Sequence, residues 1–363
     1  MLAAPRPRVV HNVIVIVFFL LFYFCLRIAV LGGQEEEASL LRNDEAFRYR
    51  IEKKVPLDSY ADARDDTKPP PSPPLWILTL SSLPRSGSTL MAQFLGTLTN
   101  SIVFFEPMWI KEYTPCAEDE DCVVDYIYNI FNCTYKQDFE DWFRKKDLFF
   151  SYFHPDVRNC KGAGCKDALD VRGMCERADV RVMKIIRTRL AFLEPLMSDS
   201  EINFKVVFLT RDPRGSLNSI RKFGWNRDPM TRCTHLDKDQ VAYEELSGLY
   251  PDKVMQVKLE DFCLDPIGTT EDLMQFLYGH SDIPEPLKEY LTKHMTTKTQ
   301  KGTMSTYKNS SQEFEAWRYK IREDDLLKIE TEPVCVRTIE SMGHALFGSI
   351  QKANDSSVPL FVH

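Results

Sequence analysis

The sequence has no surplus of positive charge. Its 363 residues hold Lys+Arg 46 against Asp+Glu 53, a formal net charge of −7, so no global basic field draws in a nucleic acid or another polyanion. It also lacks the composition of a polytopic membrane protein, a collagen-like chain or a disordered one: 44% hydrophobic and 27% charged residues are ordinary globular values. Ten cysteines in this length are too few for a disulfide-dense mini-scaffold. No internal repeat is present.

What is present begins with one apolar segment. Val13 to Leu26 is an unbroken run of 14 apolar or aromatic residues inside a 23-residue span, Val9 to Leu31. About 20 residues at 1.5 Å each cover the roughly 30 Å of a bilayer's hydrocarbon. Arg6 and Arg8 precede the span and Glu35, Glu36 and Glu37 follow it. The positive-inside rule therefore predicts a cytosolic tail over 1–8, a signal-anchor transmembrane helix over 9–31 and a luminal carboxyl end. A cleaved signal peptide and a buried core helix are the competing readings, and either an anchor or a signal peptide delivers the remainder to the secretory pathway. Sequons at Asn132, Asn309 and Asn354 agree with that compartment. Nine cysteines then face an oxidising lumen, an odd number that leaves at least one outside any intrachain bridge. Cys116/Cys122 and Cys160/Cys165/Cys175 lack the paired spacings and histidines of zinc modules, so disulfides are expected.

Residues 32–74 read as a stem, charged, without apolar periodicity, and ending in Lys68-Pro-Pro-Pro-Ser-Pro-Pro74, which favours extended polyproline II. The remaining 75–363 alternate between strand and helix signals. Strands are predicted at 75–80, 102–105, 180–186, 206–209 and 253–258. Helices are predicted at 89–98, 122–131, 138–149, 268–279 and 324–342. Asp212-Pro213 is an N-cap followed by proline at the first helical position. This order predicts an α/β domain with a P-loop-like, mainly parallel sheet flanked by helices.

Two strand-turn-helix segments carry the chemistry. In the first, Ser81-Ser-Leu-Pro-Arg-Ser-Gly-Ser-Thr-Leu90, amides at a helix start face an anion, Gly87 permits close backbone approach, Ser88 and Thr89 add hydroxyls and Arg85 adds a permanent charge. A nucleotide kinase needs a lysine after the second glycine and a first glycine several residues earlier; both are missing, which disfavours a secretory-pathway kinase. An ordinary strand-to-helix turn would carry the same single glycine. In the second segment, Arg211 follows a buried strand and Ser219 lies eight residues on, in the next helix. Ligands of open α/β sheets bind at such strand ends, so the pair can converge on a second phosphate. Surface ion pairing of Arg211 and Arg214 with Asp212 is the competing reading. Residues 181–232 hold 11 Lys/Arg and 5 Asp/Glu, a local +6 that concentrates positive charge there.

These segments resemble the membrane-anchored Golgi carbohydrate sulfotransferases, within them the galactose/N-acetylglucosamine/N-acetylgalactosamine 6-O-sulfotransferases. Arg85-Ser-Gly-Ser-Thr is similar to their 5′-phosphosulfate loop and Arg211-Asp-Pro-Arg-Gly-Ser-Leu-Asn-Ser219 to their 3′-phosphate motif. Phe105-Glu-Pro-Met-Trp109, Lys258-Leu-Glu-Asp-Phe262 and Ala316-Trp-Arg318 extend the likeness over roughly residues 75 to 345. Lys301 to Ser310, Lys308 included, matches the family's late nucleotide loop only loosely.

The resemblance implies the sulfotransferase fold, 3′-phosphoadenosine-5′-phosphosulfate (PAPS) as donor with no metal required, and glycan chains of glycoproteins or proteoglycans as acceptors. Arg85, Ser86, Gly87, Ser88, Thr89 and Leu90 would hold the 5′-phosphosulfate, with Arg85 also taking up charge on the bridging oxygen; Arg211 and Ser219 would fix the 3′-phosphate. The acceptor hydroxyl needs a general base, for which Glu106 is chosen and His154 is the runner-up; a carboxylate capping the turn before Pro107 is the plainer role for Glu106. Trp109 and Trp225 are candidates to stack on sugars, Arg227 and Arg232 to bind acidic glycan groups, and Arg187 and Arg189 to flank the nucleotide. A non-catalytic glycan-binding relative is the remaining alternative. The sequence leaves the acceptor sugar and oligomeric state open, and a homo-oligomer is compatible with it.

Overall fold

The computed structural model describes residues 73–112, 114–145, 164–165, 168–295 and 313–362. Five strands, β1 Leu75–Ser81, β2 Ser101–Phe105, β3 Val180–Ile185, β4 Phe204–Thr210 and β5 Val254–Lys258, form one sheet in the order β2-β3-β1-β4-β5. Every pairing is parallel. All seven residues of β1 are buried, as expected of a central parallel strand covered on both faces.

Alternation along the strands divides the core into two layers. Trp76, Leu78, Leu80, Phe104, Met183, Phe204 and Phe208 meet the helix Glu120–Phe131 through Val123, Ile127 and Ile130. Ile77, Val103, Val182, Val207 and Leu209 meet the helix Ser88–Leu95 through Met91, Phe94 and Leu95. Arg181 reaches out of β3 to donate to the Phe131 carbonyl at 2.6 Å, closing the carboxyl end of Glu120–Phe131 with a positive charge.

The five predicted strands are all found, within two residues at either end. The helix expected over 324–342 is two helices, Glu323–Glu330 and Pro333–Ser341, because Pro333 has no amide proton to continue the first and is well placed to start the second. The longest helix among the described residues, Pro229–Leu249, lies outside the expected set. Asp228 caps it by accepting from Thr231 N at 2.9 Å, and its buried face, Pro229, Cys233, Leu236, Asp239, Ala242 and Leu246 at helical spacing, carries a carboxylate and few large apolar side chains.

Disulfides join Cys116 to Cys122, Cys133 to Cys175 and Cys233 to Cys335, and Cys165 is also disulfide-bonded. Cys263 is a buried thiol. The sequon asparagines Asn132 and Asn354 are exposed. The expected anchor over 9–31, nearly all of the stem, His154, Lys308 and Asn309 lie outside the described residues. Among the described residues no helix is long and apolar enough to cross a membrane.

Candidate functional site

β1 lies between β3 and β4, and the chain leaves its carboxyl end toward β2 on one side while β4 continues to β5 on the other. The crevice where such connections diverge is where open α/β sheets bind ligands. The segment after β1 turns back on itself: Ser81 Oγ and Ser86 Oγ both donate to the Leu83 carbonyl, at 2.6 and 2.9 Å. Gly87 caps the next helix with φ +81°, and a β-carbon there would stand 2.8 Å from Leu259 Cδ1. Ser88 is buried, whereas Thr89 and Leu90 are half-buried.

The two strand-turn-helix segments touch. Arg211 Nη1 donates to the Arg85 carbonyl at 2.7 Å, Ser216 Oγ donates to the Pro84 carbonyl at 2.6 Å, and Arg85 Nε donates to Ser219 Oγ at 3.3 Å. Residues separated by 126 to 134 positions thus share one corner of the sheet. Burial, and secondarily the charge of Arg211, lowers the Arg85 guanidinium to about 10, so it stays charged at neutral pH. Arg85 has φ +67° and Glu106 φ +54°, two of four non-glycine residues with positive φ among the described residues. Left-handed backbone in L-residues costs roughly 1–2 kcal/mol and collects at functional sites.

The surface ion-pair reading of Arg211 and Arg214 does not hold. Arg214 is fully buried, bound to Asp212 at 2.7 Å and to Glu330 at 2.5 Å, while Arg211 turns to the first loop. Asp212 caps the helix Pro213–Ile220 through Arg214 N, and its carboxyl is held below its usual range by Arg214 and then His344, against burial.

Glu106 follows β2 and is buried; its side chain makes no capping bond, which removes the turn-cap reading. Instead Oε1 pairs with Lys184 at the end of β3, and Oε2 pairs with Arg187 at 2.6 Å. Burial lowers the Lys184 ammonium while Glu106 opposes the shift. Arg187 also binds Glu112 at 2.8 Å and lies 5.2 Å from the centroid of Trp109, which is 42% exposed. Trp225 is half-buried and stacks on Phe223, whose ring carries Arg85 5.2 Å from its centroid.

Further along the same edge Arg189 binds buried Asp239 at 3.1 Å, and Leu190 N donates to that carboxylate at 2.9 Å. Arg232 lies close enough to Arg189 and Arg187 that, after burial, they are the main influences lowering it; Arg227 is exposed. Burial and then Arg189 and Arg232 press His235 down to about 4, so it is neutral.

Sequence reasoning missed several groups of this corner. Lys184 is an isolated basic residue in an apolar strand. Thr188, after β3, and Thr210, at the end of β4, are buried with hydroxyls that lack a partner. Glu260, after β5, is fully buried, accepts from Asp212 N at 3.0 Å through Oε1 and has no partner at Oε2; burial and then Asp212 raise it to about 7. Its place in Lys258-Leu-Glu-Asp-Phe262 was the available signal. Among the described residues no group of three metal-ligating side chains is assembled.

No protein-family model matches the chain. Carbohydrate sulfotransferase 3 of Rattus norvegicus is 25% identical over 236 residues, 58% of this chain and 48% of that protein. Carbohydrate sulfotransferase 1 of Mus musculus is 24% identical over 353 residues, 76% of this chain and 81% of that protein. The chain spans about half the length of the rat and mouse carbohydrate sulfotransferase 3 relatives it matches. Among solved structures, a sulfotransferase domain from the Synechococcus PCC 7002 olefin synthase aligns over 78% of this chain and 100% of that domain, at TM-score 0.44 and 16% identity.

Proposed function

Taking the chain as a relative of the carbohydrate sulfotransferases, we propose that it transfers a sulfuryl group from PAPS to a sugar hydroxyl of a glycoprotein or proteoglycan glycan, the 6-OH of galactose, N-acetylglucosamine or N-acetylgalactosamine. Residues 9–31 anchor it in the Golgi membrane as a single-pass type II protein, 32–74 form the stem and 75–363 the luminal catalytic domain. The observation that carries the reading is the junction of the two phosphate-type segments, where Arg85, Arg211 and Ser219 meet at the carboxyl edge of the sheet. Two separated anionic groups on one nucleotide call for two such segments side by side.

The donor supplies the sulfuryl group; the chain positions and balances charge. Arg85 and the amides of Ser86 to Leu90 hold the 5′ end, and Arg85 takes up charge on the bridging oxygen as the sulfur–oxygen bond breaks. Arg211 and Ser219 hold the 3′-phosphate. Glu106 accepts the proton of the attacking hydroxyl. Each of its oxygens accepts from one cation and keeps a lone pair, and the hydroxyl reaches it from the side of Arg187, whose side chain is 19% exposed against 6% for Lys184. Trp109, beside Arg187 and already exposed, is available to a sugar ring.

The test incubates the full-length chain with labelled PAPS and a panel of keratan-type, N-acetylglucosamine-terminated and chondroitin glycans, followed by disaccharide analysis. Sulfate on carbon 6 of one of these sugars is expected. Arg85→Ala and Arg211→Ala are each expected to fall by at least about 100-fold while keeping the wild-type circular dichroism spectrum, the scale on which single charge-stabilising groups act. Undiminished transfer by both variants would overturn the site assignment.

A further inference from the structure

Trp317 is 3% exposed, yet its indole Nε1–H has no acceptor. Neighbours pack against the ring: the Arg214 guanidinium lies 4.8 Å from its centroid and the Phe347 ring 6.2 Å away. The Cδ1 edge, next to Nε1, is turned to Gly215 in the helix Pro213–Ile220. A β-carbon on Gly215 would stand 2.8 Å from Trp317 Cδ1 and 3.0 Å from Arg211 Nε. Arg211 Nε–H is also buried and unpartnered, although Nη1 is engaged by the Arg85 carbonyl.

The side chains that bear these two buried donors therefore pack together over the side-chain-free Gly215. Neither can satisfy the other, because an indole N–H and a guanidinium N–H have no acceptor between them. Buried donors are ordinarily paired, and a pair left open beside a proposed anion site points to a ligand oxygen as the missing partner. In the sequence, Ala316-Trp-Arg318 carries only a family likeness and no role.

We infer that Trp317 is a binding residue for the phosphate on the donor's ribose 3′ position, its indole N–H acting with Arg211, and that Gly215 lacks a side chain so that both donors reach the same group. This rests on the sulfotransferase reading and adds two residues to it. A buried water satisfying the same donors is the rival, and it predicts no nucleotide dependence.

Nucleotide binding to the full-length chain separates the two. Dissociation constants are measured for 3′,5′-ADP and for 5′-AMP, which lacks the 3′-phosphate. Trp317→Phe keeps a ring against Arg214 but removes the N–H; it is expected to weaken 3′,5′-ADP about 10- to 100-fold and leave 5′-AMP unchanged, the loss of one hydrogen bond to a charged group. Gly215→Ala is expected to give the same selective loss by crowding both donors. In the wild-type chain labelled with 15N-indole tryptophan, one of the five indole resonances is expected to shift with 3′,5′-ADP and stay put with 5′-AMP, a readout independent of either variant's folding. Equal affinities for both nucleotides across variants and wild type, equal losses for both, or no selective indole shift would each overturn the role of Trp317. Failure of the wild type itself to bind 3′,5′-ADP would instead remove the sulfotransferase reading and this inference with it.

Discussion

Glu260 is a carboxyl group with one satisfied oxygen and one orphan in a fully buried setting. Burial, reinforced by Asp212 and opposed by Arg211, lifts it from the ordinary 4.5 to about 7. The folded state then holds a proton between about pH 4.5 and pH 7 that the unfolded chain has released. Stability falls as pH rises through that window, and the cost is complete above it. The shift corresponds to about 3 kcal/mol. His235 acts the other way: its depressed value means stability is lost as pH falls from 6.5 toward 4. Glu260→Gln retains an acceptor for Asp212 N and cannot ionise. Its stability relative to wild type is expected to be nearly unchanged at about pH 4.5 and to rise to a gain of up to about 3 kcal/mol at about pH 8, with His235 common to both proteins and cancelling. Denaturant unfolding across that pH range checks this, and a difference that does not vary with pH would refute it.

At the scale of elements, one buried ion cluster ties the second strand-turn-helix segment to the carboxyl-terminal part of the chain. Arg214 donates to Asp212, to Glu330 and, at 2.8 Å, to the Ala345 carbonyl. Glu330 in turn accepts from Phe347 N at 3.1 Å and Gly348 N at 2.6 Å. The helix that carries Ser219 is thereby fixed against Glu323–Glu330. Glu330→Ala leaves Arg214 paired with Asp212 but strips an acceptor from Arg214 Nη1, Phe347 N and Gly348 N, and is expected to cost about 3–5 kcal/mol in denaturant unfolding, at about 1–3 kcal/mol for each buried donor left unpaired. A loss below about 1 kcal/mol would show that Asp212 and Ala345 suffice for Arg214. This cluster also marks the limit of sequence reading. Gly87, Asp212 and Pro213 are legible because turn and cap chemistry is local, and the parallel sheet because buried strands are continuous apolar runs. Arg214 reads as a surface partner of Asp212 because nothing local announces an acid 116 residues away. Lys184 is hidden for the same reason: its partner, Glu106, is brought to it only by the β2-β3 pairing. The helix Pro229–Leu249 escapes detection because its buried face is interrupted by Asp239 and holds few large apolar side chains.

For the whole molecule, the net −7 conceals a division: the +6 of residues 181–232 leaves −13 on the rest, so the proposed donor corner is the basic part of an acidic protein. That corner is assembled from distant parts of the chain, and the crosslinks bear on it unequally. Cys233–Cys335 spans 102 residues and joins the helices Pro229–Leu249 and Pro333–Ser341, enclosing β5, Glu260, Trp317 and Glu330 within its loop. Cys116–Cys122 spans 6 residues a short way along the chain from Glu106. In the chain-entropy account a loop of about 100 residues contributes about 4.7 kcal/mol and one of about six roughly 2 kcal/mol, by restricting the unfolded state. Replacing Cys233 and Cys335 together by serine is therefore expected to lower stability by about twice as much as replacing Cys116 and Cys122. Both losses are read from unfolding midpoints under oxidising conditions, and in reductant the wild type and both variants should converge on one midpoint. A short-loop variant as unstable as the long-loop one would mean that native packing around Cys116–Cys122, rather than chain entropy, sets its contribution.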